Sequence, residues 1–213
     1  MTNDQRRTTM SEVSISRKEG MEREGQIHST AVLKTFIKEM TLHPKSLILD
    51  LGCICDSNIE LFTHLGCKVF VKDLLNANAR ARTNPDGVGE ISVDEIQIDC
   101  EYSENFFDGI LLWDILDHFD FEGARLLINN ARRILKEKGW ALALFRPANQ
   151  TPLNTITRYR IVSLGEIRYE TLPLIIPRHK IYYNRDLADL FNDFSSNKSY
   201  ILKNRWREVI ARK

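Results

Sequence analysis

Apolar and polar residues follow two rhythms along this chain, and the rhythms exchange at regular intervals. Val32, Leu33, Phe36, Ile37 and Met40 recur at helical spacing, with Ser29 placed to cap them and Pro44 to end them. An apolar run over residues 46–51 predicts the first strand of a repeating pattern. Ser57-Asn58-Ile59-Glu60 has the form of a capping box, predicting a helix that buries Ile59, Phe62 and Leu65 and stops at Gly66. Residues 68–72 predict a second strand ending at Asp73, followed by a short helix over 74–82 and a turn at Asn84-Pro85-Asp86-Gly87. Residues 95–99 form a weak third strand pattern. Residues 107–113 form a strong fourth, too apolar to face water on either side. Ala124, Leu127, Ile128, Ala131 and Leu135 mark the buried face of a helix over 121–135, and residues 140–145 give a fifth strand. Strands alternating with helices imply a parallel sheet with right-handed crossovers.

After Pro147 the rhythm changes. Two β-type runs, 158–163 and 166–170, flank Leu164-Gly165 and predict a hairpin. Asn184 then caps a helix carrying Leu187, Leu190 and Phe191, and two more strand runs follow at 198–202 and 207–211. An antiparallel C-terminal edge hairpin would complete a seven-stranded, mostly parallel sheet. The fold class expected is a Rossmann-like three-layer α/β sandwich. Residues 1–25 are polar and poor in large apolar side chains, which predicts a flexible arm. The domain expected is 26–213, with the inserted hairpin at about 155–180.

The 213 residues suffice for one domain with a full core. Charge is nearly balanced, 30 Lys and Arg against 29 Asp and Glu, so no strong field favours nucleic acid or a membrane surface. No apolar run reaches membrane-spanning length, and the polar N-terminus does not read as a signal peptide. Cys53, Cys55, Cys67 and Cys100 fit a reducing compartment, and they lack the paired spacing of a zinc site. These features predict a cytoplasmic protein without a metal.

The segment Leu47-Ile48-Leu49-Asp50-Leu51-Gly52-Cys53-Ile54-Cys55-Asp56-Ser57 ends a strand, turns and opens a helix. A loop that becomes a helix N-terminus presents N–H groups to an anion, and a carboxylate on the next strand can accept hydroxyl hydrogens from a ribose. Trp113-Asp114-Ile115-Leu116-Asp117-His118 follows the fourth strand. There His118 could take a proton and Asp114 orient it, or Asp117 and His118 could simply begin the next helix. Arg158, Arg160, Arg168 and Arg178, with Tyr159 and Tyr169, could grip RNA or an anionic substrate, or form a solvated face or a partner-binding edge. Leu172-Pro173-Leu174-Ile175-Ile176-Pro177 is apolar enough to need cover, from a second copy or another protein.

The layout resembles the class I S-adenosylmethionine-dependent methyltransferases. The resemblance rests on Leu49-Asp50-Leu51-Gly52-Cys53, Asp73, Ile98-Asp99-Cys100, Phe106-Phe107-Asp108-Gly109-Ile110-Leu111 and Arg133-Ile134-Leu135-Lys136-Glu137-Lys138-Gly139, in that order. It implies S-adenosylmethionine as cofactor, held by Asp50, Gly52, Cys53, Asp73, Leu74, Asp99, Cys100 and Trp113. Asp73 would meet the ribose and Asp99 the adenine amino group. The family pattern places glycines at 54 and 56, where this chain has Ile54 and Asp56. A β-branched residue resists positive φ and close ligand approach. An Asp56 carboxylate ~4 Å from the methionine carboxylate would cost on the order of 4 kcal/mol at an effective dielectric of 20. Alternatively, Asp56 faces water at the helix start and gains helix-dipole energy. The activity implied is methyl transfer to a small acceptor. The alternative is a catalytically inactive methyltransferase-like protein that binds a partner, or itself, through 155–180.

Overall fold

A computed structural model describes residues 25–75, 102–147, 155–175, 178 and 180–213. The central sheet contains β2 (Leu47–Asp50), β3 (Lys68–Val71), β4 (Phe107–Trp113), β5 (Leu135–Phe145), β8 (Ser196–Ile201) and β9 (Arg207–Arg212). Their order is β3-β2-β4-β5-β9-β8; the first four are parallel, and β9 runs antiparallel to both of its neighbours, β5 and β8. The expected strand over 95–99 lies outside the described residues, as do most of the helix at 74–82, the turn after it and the arm at 1–24. The mixed sheet and its antiparallel edge are the architecture that the alternation predicts.

Side chains leave β4 alternately, so it supplies two cores. Ile110 and Leu112 pack with Ala124, Leu127 and Ile128 of α3 (Phe121–Ile134) and with Leu187 and Leu190 of α4 (Asn184–Leu190). Leu111 and Trp113 join Leu33, Phe36, Ile37 and Met40 of α1 (Leu33–Thr41) and Phe62 of α2 (Asp56–His64) on the opposite face. Gly109 lets α1 lie close against β4, because a Cβ there would fall 2.4 Å from Met40 Sδ.

Three caps differ from the sequence reading. Ser29 ends β1 (Gln26–Ser29) instead of capping α1. The N-terminal amides before α1 are met from the far end of the chain: Ala31 N and Val32 N donate to Glu208 Oε2 at 2.7 and 3.3 Å. A buried carboxylate there also satisfies the helix dipole, which Ser29 in a strand cannot do. Likewise α2 begins at Asp56 with Cys55 as its N-cap residue, and the Ser57 hydroxyl lies 3.2 Å from Cys55 Sγ. The buried face of α2 is therefore Asn58, Leu61 and Phe62, with Ile59 only half-buried. In α4, Asn184 is the first helical residue, and the Tyr183 N–H donates to Asp186 Oδ2 at 2.8 Å.

The expected hairpin forms from β6 (Thr155–Ser163) and β7 (Glu166–Ile175). It makes a second, antiparallel sheet of order β1-β7-β6. Buried Tyr159, Ile161 and Ile167 carry this sheet into the same core as α1 and α2.

Candidate active site

β2, β3 and β4 end side by side, and the loop after β2 bends around a single glycine. Asp50, at the end of β2, is buried, and its Oδ1 accepts the Gly52 N–H at 2.9 Å and the Trp113 Nε1–H at 2.8 Å. Burial pushes the Asp50 carboxyl up to about 6, the two donated hydrogen bonds pull it down, and the charge of Asp73 adds to the rise. Asp73 is half-buried, two residues beyond the end of β3, and Leu74 beside it is buried. Cys53 is buried among these acids; desolvation first, then Asp73 and Asp114, hold its thiol well above the ordinary range. Such a thiol is not a nucleophile. Ile54 points to solvent, and Asp56 is exposed in the first turn of α2, where its charge suits the helix dipole.

Gly52 has a neighbour that the sequence does not announce. A Cβ on it would lie 2.3 Å from Trp113 Cδ1 and 2.9 Å from Nε1, so the indole rests on the glycine backbone. Trp113 ends β4 at φ +47°, a left-handed conformation that side chains adopt at a cost. Tyr159 of β6 stacks on the indole, rings 5.1 Å apart and 8° from parallel. The backbone of β6 is fixed to α2 by one buried side chain. Asn58 Nδ2 donates to Tyr159 O, and the Ile161 N–H donates to Asn58 Oδ1, both at 2.8 Å.

Beyond β4 the acids are buried with arginines. Asp114 Oδ2 lies 2.9 Å from Arg146 Nε, both side chains nearly sequestered. The N–H is not aligned along that contact, so its attraction is ionic more than directional. Asp117 Oδ2 accepts Arg178 Nη2 at 2.7 Å and Arg146 N at 3.0 Å. Burial raises the Asp117 carboxyl to about 7 against the pull of Arg178. His118 is wholly buried in the 3₁₀ turn Ile115–His118. Arg158 pairs with Glu170 at 3.0 Å, and Arg178 with Asp117, so both are engaged within the chain.

The structure thus gathers Asp50, Gly52, Cys53, Asp73, Leu74 and Trp113 at neighbouring strand ends, with Asp114 and His118 just beyond β4. Asp99 and Cys100 lie outside the described residues. Asn58 and Arg146 escaped the sequence reading as site residues, and Tyr159 entered it only with the arginines of the hairpin, not as a partner of Trp113. The one local signal was a polar residue, Asn58, on the same helical face as Leu61 and Phe62. Among the described residues, no three His, Cys, Asp or Glu side chains group as a metal site, and no helix is long and apolar enough to cross a membrane.

Residues 49–143 match the family model described as a methyltransferase domain. Solved structures with the same fold include an S-adenosylmethionine-dependent methyltransferase from Methanosarcina mazei, 18% identical, with a TM-score of 0.50 over 86% of this chain and 97% of that one. A second, from Archaeoglobus fulgidus, is 13% identical with a TM-score of 0.54 over 86% and 92% of the two chains. A third, from Mesorhizobium loti, is 15% identical with a TM-score of 0.52 over 85% and 96%. No curated protein matches. The chain therefore has the fold of these S-adenosylmethionine-dependent methyltransferases, and its residues 49–143 resemble a methyltransferase domain.

Proposed function

We propose that the protein binds S-adenosylmethionine at the carboxyl ends of β2 and β3 and methylates a small acceptor entering beyond β4 and β5. The observation that carries this reading is the convergence of Asp50, Gly52, Cys53 and Asp73, close enough that the Asp73 charge is felt at both Asp50 and Cys53. The Asp73 carboxylate is of the type that accepts ribose hydroxyls, and buried Leu74 gives an apolar support beside it. In this reading Asp99 and Cys100 border the adenine. When bound, the cofactor supplies a sulfonium that makes its methyl group electrophilic. The protein then contributes placement and exclusion of water. Asp114 and His118, buried just beyond β4, are the candidates to handle the acceptor's proton. A small acceptor is favoured over a polyanion because Arg158 and Arg178 are already paired with Glu170 and Asp117.

Titration calorimetry of the wild type and Asp73→Ala with adenosine and with S-adenosylhomocysteine tests the reading. We expect binding by the wild type and at least a tenfold loss in the variant at unchanged melting temperature. Equal affinities, or no binding of either nucleoside by the wild type, would overturn it. A second reading draws on the indole over Gly52, which covers the loop backbone a ligand would approach. It makes the chain a catalytically inactive binder of a partner through residues 155–180, and it predicts no affinity for either nucleoside.

A further inference from the structure

We infer that Trp113 is a specificity-determining side chain that closes the tail end of the nucleoside site, so that the site admits adenosine more readily than an adenosine carrying an amino-acid chain. The inference rests on the proposed nucleoside site. Its basis is the juxtaposition of Gly52, Trp113 and Tyr159 at adjacent strand ends. The sheet order runs β3-β2-β4, with Asp73 beyond β3 and Asp114 and His118 beyond β4. A ligand whose ribose meets Asp73 and whose tail reaches toward the acceptor must cross the end of β2. Gly52 stands at that crossing, where the absence of a Cβ would let a ligand lie against the backbone. The indole of Trp113 takes up that approach instead, at distances no added side-chain carbon could tolerate.

Three contacts hold it there: the Nε1–H on Asp50, the stack of Tyr159, and the Asn58 clamp behind Tyr159. Trp113 keeps its positive φ because these contacts over-determine it. A tailed nucleoside therefore binds only by displacing the indole and breaking its hydrogen bond. Adenosine, ending short of Gly52, does not.

Calorimetry with adenosine and S-adenosylhomocysteine on the wild type, Trp113→Gly and Trp113→Phe separates the outcomes. Glycine removes the ring and tolerates the backbone conformation, and phenylalanine keeps a ring over Gly52. We expect S-adenosylhomocysteine to bind Trp113→Gly at least tenfold more tightly than the wild type, adenosine to change less than threefold, and Trp113→Phe to stay close to the wild type. Unchanged S-adenosylhomocysteine affinity, or equal gains for both ligands, would overturn the inference and leave the nucleoside site standing. Absence of binding by every form would overturn both. If Trp113→Gly melts below the assay temperature, the wild type decides. Adenosine binding as tightly as S-adenosylhomocysteine, or more so, supports the closure, and a tenfold preference for the tailed ligand overturns it.

Discussion

The parallel block β2-β4-β5 and the appended sheet β1-β7-β6 are held together by different physics. In the block, apolar residues at periods of two and 3.6 meet across the sheet, and the cohesion is spread over many side chains, as with Leu127, Ile110 and Phe36. The appended sheet also buries Tyr159, Ile161 and Ile167, but its placement depends on a few polar contacts between residues far apart in sequence. Asn58 joins α2 to β6 across about a hundred residues, and Glu208 receives His28 and the amides before α1 across about 180. The first kind of cohesion degrades gradually. The second fails at a single residue, and it is the second that positions Tyr159 over the candidate site.

Substitutions on each side should break that contrast most sharply. Leu127→Ala, in the block, should lower stability by about 3 kcal/mol in urea unfolding, with amide exchange rising throughout the chain. Asn58→Leu strands the Ile161 N–H and the Tyr159 carbonyl without partners and should cost about 2–3 kcal/mol. Its faster exchange should concentrate in residues 155–175 while the block stays protected. Exchange rising equally everywhere in both variants would erase the distinction between the two regions.

A smaller effect follows from Asp50. Its pKa is raised in the folded protein, to about 6 from 3.8, so the unfolded chain releases this proton first as pH rises. The contribution is fully present below pH 4 and lost as pH rises through about 6, by at most about 3 kcal/mol. Asp50→Asn can keep both accepted hydrogen bonds through its carbonyl oxygen and should flatten this part of the profile. Asp117, raised to about 7, adds a fall of the same sign that the variant leaves in place. An Asp50→Asn profile parallel to that of the wild type between pH 4 and 6 would refute the assignment.

The smallest effect belongs to Arg158. Its pair with Glu170 is only half-buried, so Arg158→Ala should change stability by no more than about 1 kcal/mol. A loss exceeding that of Asn58→Leu would mean that the hairpin leans on this pair more than on Asn58.

What could be read from sequence tracks the same division. The stripe on α1, the predominantly apolar β4 and the face of α3 follow from periodicity alone, and they place Asp50, Asp73 and Trp113 at strand ends. The four residues of β1 are too few to show a period, and the carboxylate that serves α1 lies on β9, so Ser29 looked like the cap. Asp114 and His118 stood at the expected end of β4, but nothing local indicates that Arg146 would be buried against Asp114. Nor does a loop with one glycine say that the chain's own tryptophan occupies the approach to it. Long-range polar pairing leaves no periodic trace. Periodicity locates the site, and the polar contacts decide its shape.

The central claim is that a nucleoside binds where β2 and β3 end, and amide chemical-shift mapping of the wild type with adenosine tests it most directly. The account predicts saturable shifts concentrated at Gly52, Cys53, Asp73 and Leu74, with β8 and β9 unaffected. Shifts confined to the hairpin or the C-terminal strands, or none at saturating ligand, would contradict it.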